Sequence, residues 1–137
     1  MEAAGRSSPF LDLVGPLWVR PDGPLFGLRT GERHLNNRGV VHGGALGPVA
    51  DTMLGYALTY GTTDRLVVLT TAHLSIDLLG GIGRDQWLTG QPLPGRLGGR
   101  MAFGYGQFTV GGEVVAAVRA VFSVRDVSAD QQPPRPW

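Results

Sequence analysis

Residues 34–60 read HLNNRGVVHGGALGPVADTMLGYALTY, and their second half decides the fold. Leu46, Val49, Ala50, Met53, Leu54, Ala57 and Leu58 recur at i, i+3, i+4, i+7, i+8, i+11 and i+12, an apolar stripe with helical period. Pro48 fits if the helix begins near Gly44 or Ala45, because first-turn amides have no intrahelical partner. The segment is nearly uncharged, so both of its sides are expected to be covered. What surrounds it reads as strand. Residues 66–79 alternate, with Val68, Ala72, Leu74, Ile76 and Leu78 on one face and Thr71, His73, Ser75 and Asp77 on the other. Residues 98–110 and 113–124 form a hairpin about Gly111-Gly112. Its second arm puts Val114, Ala116, Val118, Ala120, Phe122 and Val124 on one side, and pairing about the turn adds Met101, Phe103 and Tyr105 to that face. Residues 84–91 are a weaker strand carrying Trp87. Upstream, Ser8-Pro9 opens a short helix through Phe10, Leu11, Leu13 and Val14, and residues 17–20 and 25–29 are short strands about Pro21-Asp22-Gly23. The order is α+β, an antiparallel sheet packed on a single helix.

The chain has 137 residues, enough for one domain and not two. Hydrophobic residues make up 42% and charged residues 17%, which fits a packed core and argues against disorder. All 12 basic residues are arginine, and a net charge of +1 with scattered arginines argues against a nucleic-acid partner. The absence of cysteine excludes disulfides, thiolate metal sites and cysteine nucleophiles. No apolar run approaches the roughly 20 residues of a membrane span, so no membrane association is expected and the expected location is cytoplasmic. The domain is expected over residues 8–127, with residues 1–7 and the proline-rich 128–137 as loose termini that do not pack.

Asp51 is the anomaly. It is the only formally charged residue between Gly39 and Thr63, inside the most apolar helix of the chain. Its i±3 and i±4 neighbours are Gly47, Pro48, Leu54 and Gly55, so no intrahelical salt bridge holds it. The bland reading is an acid favoured by the helix dipole by about 0.3–1 kcal/mol. That effect fades after the first turn, and Asp51 falls in the second. A carboxylate in a dry groove is costly to keep without a role, and the functional reading is preferred. Gly43-Gly44 lies where the helix begins. Two glycines admit a ligand to free amides at the positive end of the dipole, as an oxyanion hole requires. Taken on its own, that pair reads first as a tight loop-to-helix turn.

Together, His34-x-Asn36-x-x-Gly39-x-x-His42-Gly43-Gly44 and then Asp51 form a far more specific pattern. It resembles the hotdog-fold acyl-CoA thioesterases of the phenylacetate-pathway (PaaI-like) family, and the likeness extends from about Phe10 to Val124. The resemblance implies a sheet wrapped round one long central helix and hydrolysis of an acyl-CoA to a free acid and CoA, with no cofactor beyond the CoA of the substrate. It implies Asp51 as nucleophile or general base, the Gly43 backbone N–H as oxyanion donor, Asn36 as a positioning group, and Thr71 assisting the acid. Thr70, one residue away, points to the opposite face.

Eight residues of helix span about 12 Å, so Gly43 and Asp51 on one straight helix cannot both reach one thioester carbonyl. Either the motif is not a site, or the site joins Gly43 of one subunit to Asp51 of another. The family's dimer does the latter. A homodimer at least is therefore expected, and the resemblance favours a homotetramer. His34 and His42 lack further ligands at metal spacing, so no metal is expected, and His42 braces the loop. His42 and Gly44 stand beside the expected thioester. Arg96 and Arg100, in an expected flexible loop over residues 94–100, are candidates for CoA phosphates, with Arg84 a weaker one. Met53, Leu54 and Tyr56 are candidates for the acyl pocket. Two rivals remain. A hotdog hydratase or dehydratase fits the HGG-helix-Asp pattern poorly, and a non-catalytic binder of acyl-CoA or an aromatic ligand would have no need of Asp51, Asn36 and Gly43 together. The acyl group, medium-chain or aromatic, is left open.

Overall fold

The computed structural model describes residues 2–3, 8–20, 22–23, 25–61 and 64–133. Its elements in chain order are β1 (Glu2–Ala3), α1 (Pro9–Val14), β2 (Trp18–Val19), β3 (Phe26–Arg29), α2 (Leu46–Tyr60), β4 (Val67–Leu78), β5 (Trp87–Leu97), β6 (Met101–Val110) and β7 (Glu113–Asp126). The strands form one antiparallel sheet in the order β1-β2-β3-β5-β6-β7-β4. It wraps round α2, the hotdog arrangement the sequence pattern led one to expect. No helix among the described residues is long and apolar enough to cross a membrane.

Local chemistry accounts for the helix starts. Ser8 caps α1 by accepting the Leu11 N–H at 3.2 Å, with Pro9 at the first helical position. A 3-10 turn over Gly43–Ala45 leads into α2, which places Pro48 in its first turn. Leu46, Val49, Ala50, Met53 and Leu54 are buried against the sheet, each side chain the size of Leu or Met contributing about 1.5–3 kcal/mol by leaving water. The other side of α2 is not fully covered. Asp51, Thr52, Gly55, Tyr56 and Thr59 line a cavity there.

Two β-bulges overturn the expected faces. At the hairpin, Gly111 and Gly112 take the positive φ of 58° and 85° that a two-residue turn of this kind needs. Pairing then shifts by one residue at Val115, because Thr109 faces Val114 whereas Phe108 faces Ala116. Every later residue of β6 is turned over. Ala102, Gly104, Gly106 and Phe108 face the helix, while Met101 and Tyr105 are exposed and Phe103 lies on their side of the strand. The small residues let α2 approach closely. A Cβ on Gly104 would stand 3.1 Å from Leu54 Cβ, and one on Gly106 would stand 2.8 Å from Met53 Cε. Val114, expected inside, is exposed and Val115 is buried instead.

The second bulge falls at Ala72 of β4, where Thr71 pairs with Phe122 but His73 pairs with Val121. One extra residue reverses the alternation. Thr71 shares the helix-facing side with Phe122, and beyond the bulge Leu74, Ile76 and Leu78 share it with Ala120, Val118 and Ala116. Thr71 is thus not on a polar outer face opposite Leu74, as a single alternation would have it.

Other boundaries moved. β5 runs to Leu97, so residues 94–97 are strand with a register shift between Leu93 and Arg96, not the expected flexible loop. Glu2 and Ala3, expected in a loose terminus, pair with Val19 and Trp18. The tail folds back as far as Pro133, whose carbonyl accepts the Tyr60 hydroxyl, so residues 128–133 are tied to the domain. Pro21 of the expected turn, and residues 1, 4–7 and 134–137 of the expected loose ends, lie outside the described residues.

Candidate active site

Asp51 sits half-buried on the second turn of α2. Facing it, Thr71 of β4 donates its hydroxyl to Asp51 Oδ1 at 2.5 Å. Such a bond to a carboxylate is short and about twice as strong as a neutral one. It fixes one carboxylate oxygen and leaves the other to the groove. Thr70, its neighbour, instead offers its carbonyl to Ser123 at 3.5 Å. Two adjoining cavities of about 290 and 480 Å³ share Asp51, Thr52 and Thr71 among their walls. Gly55, one turn beyond Asp51, opens the first of them, and a Cβ there would make only ordinary contact with Phe122 at 3.8 Å.

The loop that precedes α2 is held by its own side chains. The Asn36 Oδ1 accepts from the Arg38 N–H at 2.8 Å and the Val40 N–H at 3.3 Å. That anchors the oxygen end and turns the NH2 end away from the loop backbone. Buried His34 accepts the Gly31 N–H on Nδ1 at 2.9 Å and therefore donates from Nε2 to the Val14 carbonyl. It ties the loop to α1 and is structural. His42 braces the loop as expected, its Nδ1 accepting the Gly44 N–H at 2.9 Å. That bond occupies the Gly44 donor. The Gly43 amide, first in its 3-10 turn, has no intrahelical partner. Gly43 and Asn36 line a third cavity of about 310 Å³ with Leu78 and Ile82, and it shares no wall with the Asp51 cavities.

The structure therefore divides the expected set in two, Asp51 with Thr71 and Gly43 with Asn36. Met53 is fully buried beside Gly90 and Gly106 and lines none of these cavities, which corrects its expected place in an acyl pocket. Tyr56 does line the Asp51 cavity, and Leu54 lines a separate apolar one with Leu58 and Pro92. Arg96 on β5 and Arg100 in the β5–β6 turn are exposed and border none of the four cavities. Arg84 lies 3.5 Å from Asp85 and 4.0 Å from Glu32, a solvated pairing worth little. No cluster of three or more potential metal ligands occurs among the described residues.

Sequence reasoning foresaw the α1 helix but not that it and the tail wall the Asp51 cavities. Ser8 and Leu11 wall both Asp51 cavities, Phe10 the larger, and Pro133 the smaller. The signal for α1 was its excess of apolar residues. One turn of helix cannot bury them all, and Phe10 and Leu13 remain 62% and 72% exposed.

Comparison with known proteins agrees with this architecture. A Pseudomonas aeruginosa protein named "Putative esterase PA0474" is 37% identical over 120 residues, covering 85% of this chain and 89% of its own. Thioesterase HI1161 of Haemophilus influenzae superposes with a TM-score of 0.76 at 16% identity, over 92% of this chain and 89% of that one. A Streptococcus pneumoniae hypothetical thioesterase solved with coenzyme A gives 0.67 at 21% identity, over 77% and 82%. A mutant form of the phenylacetic acid degradation protein PaaI of Thermus thermophilus gives 0.72 at 21%, over 85% and 98%. Residues 38–122, which run from the Asn36–Gly43 loop through α2 to Phe122 of β7, match the profile of the thioesterase superfamily, and the chain belongs to that family.

Proposed function

We propose that the protein is an acyl-CoA thioesterase, and the hydrogen bond from Thr71 to an Asp51 carboxylate standing in an open cavity carries this reading. Thioester hydrolysis needs an oxygen nucleophile aimed at the carbonyl carbon and donors for the oxyanion that forms. Asp51 supplies the first, either by attacking the carbonyl to give an anhydride that water opens, or by taking a proton from the attacking water. In both routes the C–S bond breaks and CoA leaves as the thiol. Thr71 holds the carboxylate, the Gly43 N–H receives the oxyanion, and the Asn36 amide positions the thioester or the water. The family, with a structural neighbour solved with coenzyme A, supports the CoA ester as substrate.

The site is completed by a second subunit. Gly43 and Asn36 open onto a different cavity from Asp51. β4 is a 12-residue strand at the edge of the sheet, paired on one side only by β7. Long unpaired edges are where a second copy adds. Antiparallel pairing of two β4 strands about their middles brings the Leu78 end of one, beside its Gly43, over the Val67–Thr71 half of the other, beside its Asp51. A homodimer with two such sites follows, and a homotetramer is the assembly the family resemblance favours. Exposed Arg96 and Arg100 remain the proposed contacts for CoA phosphates.

Release of free thiol from a panel of acyl-CoAs, by the wild type and by Asp51→Asn, tests the reading. Turnover that falls by at least about a hundredfold in the folded variant is expected. Undiminished turnover would place the chemistry elsewhere, and stoichiometric binding of acyl-CoA without any turnover would favour the binding protein.

A further inference from the structure

The cavity beside Asp51 is lined at the C-terminal end of α2 by Tyr60 and by Pro133 of the tail. It runs from Asp51 and Thr71 past Gly55, between Tyr56 and Phe122, to Tyr60 and Pro133. Tyr60 is the last residue of α2, and its hydroxyl donates to the carbonyl of Pro133, 73 positions along the chain. The strap that delivers Pro133 is itself ordered by a turn in which Gln131 N–H donates to the Ser128 carbonyl at 2.9 Å and Ser128 N–H to the Gln131 side chain at 3.2 Å. Aromatic contacts back the Tyr60 ring. The Tyr60 ring lies 6.0 Å from Tyr56, which in turn stacks at 6.5 Å on Phe26 in the core.

Building on the thioesterase reading, we propose that Tyr60 and the Pro133 strap form the end wall of the acyl pocket and set a ceiling on acyl length. The rise of α2 sets the length. From Asp51 to Tyr60 is nine residues of helix, about 13 Å, and an alkyl chain built from C–C bonds of about 1.5 Å advances roughly 1.3 Å per carbon, so roughly ten carbons fit. The substrate class is thus a thioester of a medium-chain acid, and long-chain acyl groups are shut out by the wall. Because neighbouring methylenes in a fitted apolar pocket are discriminated by factors of about 10–200, a blocked end gives a sharp cut-off.

Non-hydrolysable S-alkyl-CoA thioethers from hexyl to hexadecyl, titrated calorimetrically into the full-length wild type, Tyr60→Phe and Tyr60→Leu, test this. Wild-type affinity is expected to rise to about decyl and then fall. Tyr60→Leu, which lowers the wall and frees the strap, is expected to bind the hexadecyl thioether about tenfold more tightly than wild type, and Tyr60→Phe to move the same way by less. Tyr60→Phe keeps the ring and preserves the test if the leucine variant does not fold. Wild-type affinity climbing through hexadecyl, an unchanged profile in both folded variants, or no thioether binding would each overturn the end wall. Thiol release measured on the same proteins separates the two ideas: a length ceiling without turnover upholds the wall and removes the hydrolase.

Discussion

The Thr71 hydroxyl donates to Asp51 across the groove and holds it in place. Hydrogen bonds to charged groups contribute about 1.5–3 kcal/mol, so Thr71→Val should lower kcat by roughly 10–100-fold. KM should change little, because the substrate does not bind to Thr71 in this reading. Steady-state kinetics on the best thioester checks the split. Gly43 permits a cleaner test of the oxyanion donor. His42, before it, has φ −64° and ψ 131°, which is the conformation a residue preceding proline adopts, and Gly43 opens a helical turn where proline is accepted. Gly43→Pro therefore deletes one N–H with little demand on the backbone, although Leu78 Cδ1, 2.9 Å from a Cβ at this position, has to give way. A fall in kcat of roughly 10²–10³ is expected with the fold intact by circular dichroism, and an unchanged kcat would exclude this amide from the reaction.

At the scale of the element, the two bulges decide what α2 meets. The shift at Val115 puts Gly104 and Gly106 under the helix, and the shift at Ala72 turns Thr71 toward Asp51. The close approach of α2 depends on the absence of side chains below it, since a Cβ on Gly104 would already lie 3.1 Å from Leu54 Cβ and 3.3 Å from Leu58 Cδ1. Gly104→Val is expected to destabilise the protein by about 1–3 kcal/mol through overpacking, read from the midpoint of urea unfolding. Where the hydrophobic period was long and unbroken, as in α2, the sequence disclosed the element and its buried face. It disclosed the hairpin too, but not its faces. A bulge leaves no trace in a binary pattern when both neighbours are apolar, as Val114 and Val115 are, and the same holds for a run such as Thr70-Thr71-Ala72.

For the whole molecule, the proposed site needs two chains, and that makes an all-or-none test possible. Mixing Asp51→Asn with Gly43→Pro, each inactive as a homodimer, should restore activity through hybrid dimers that hold one intact site. After subunit exchange the recovery should reach roughly a quarter of wild type, since half of randomly formed dimers are hybrids with one of two sites intact. No recovery after exchange demonstrated by mass spectrometry would mean that both groups act from the same subunit or that one of them does not act.

The sequence by itself determined the α+β class, the central helix and the loop motif, and it marked Asp51 as the candidate acid. Periodicity and a lone acid in an apolar helix are local properties, and local chemistry is what a sequence writes directly. Only the tertiary structure decided that a bulge turns Thr71 to the helix-facing side, that Met53 belongs to the core, and that Arg96 lies in a strand. It alone brought Ser8 and Leu11 of α1 and Pro133 of the tail to the walls of the Asp51 cavity. These facts depend on sheet register and on contacts between segments as far apart as Tyr60 and Pro133. A single inserted residue reverses a strand's faces at no cost in composition, and a chain end is placed by the surface it finds, so neither is set by the residues nearby.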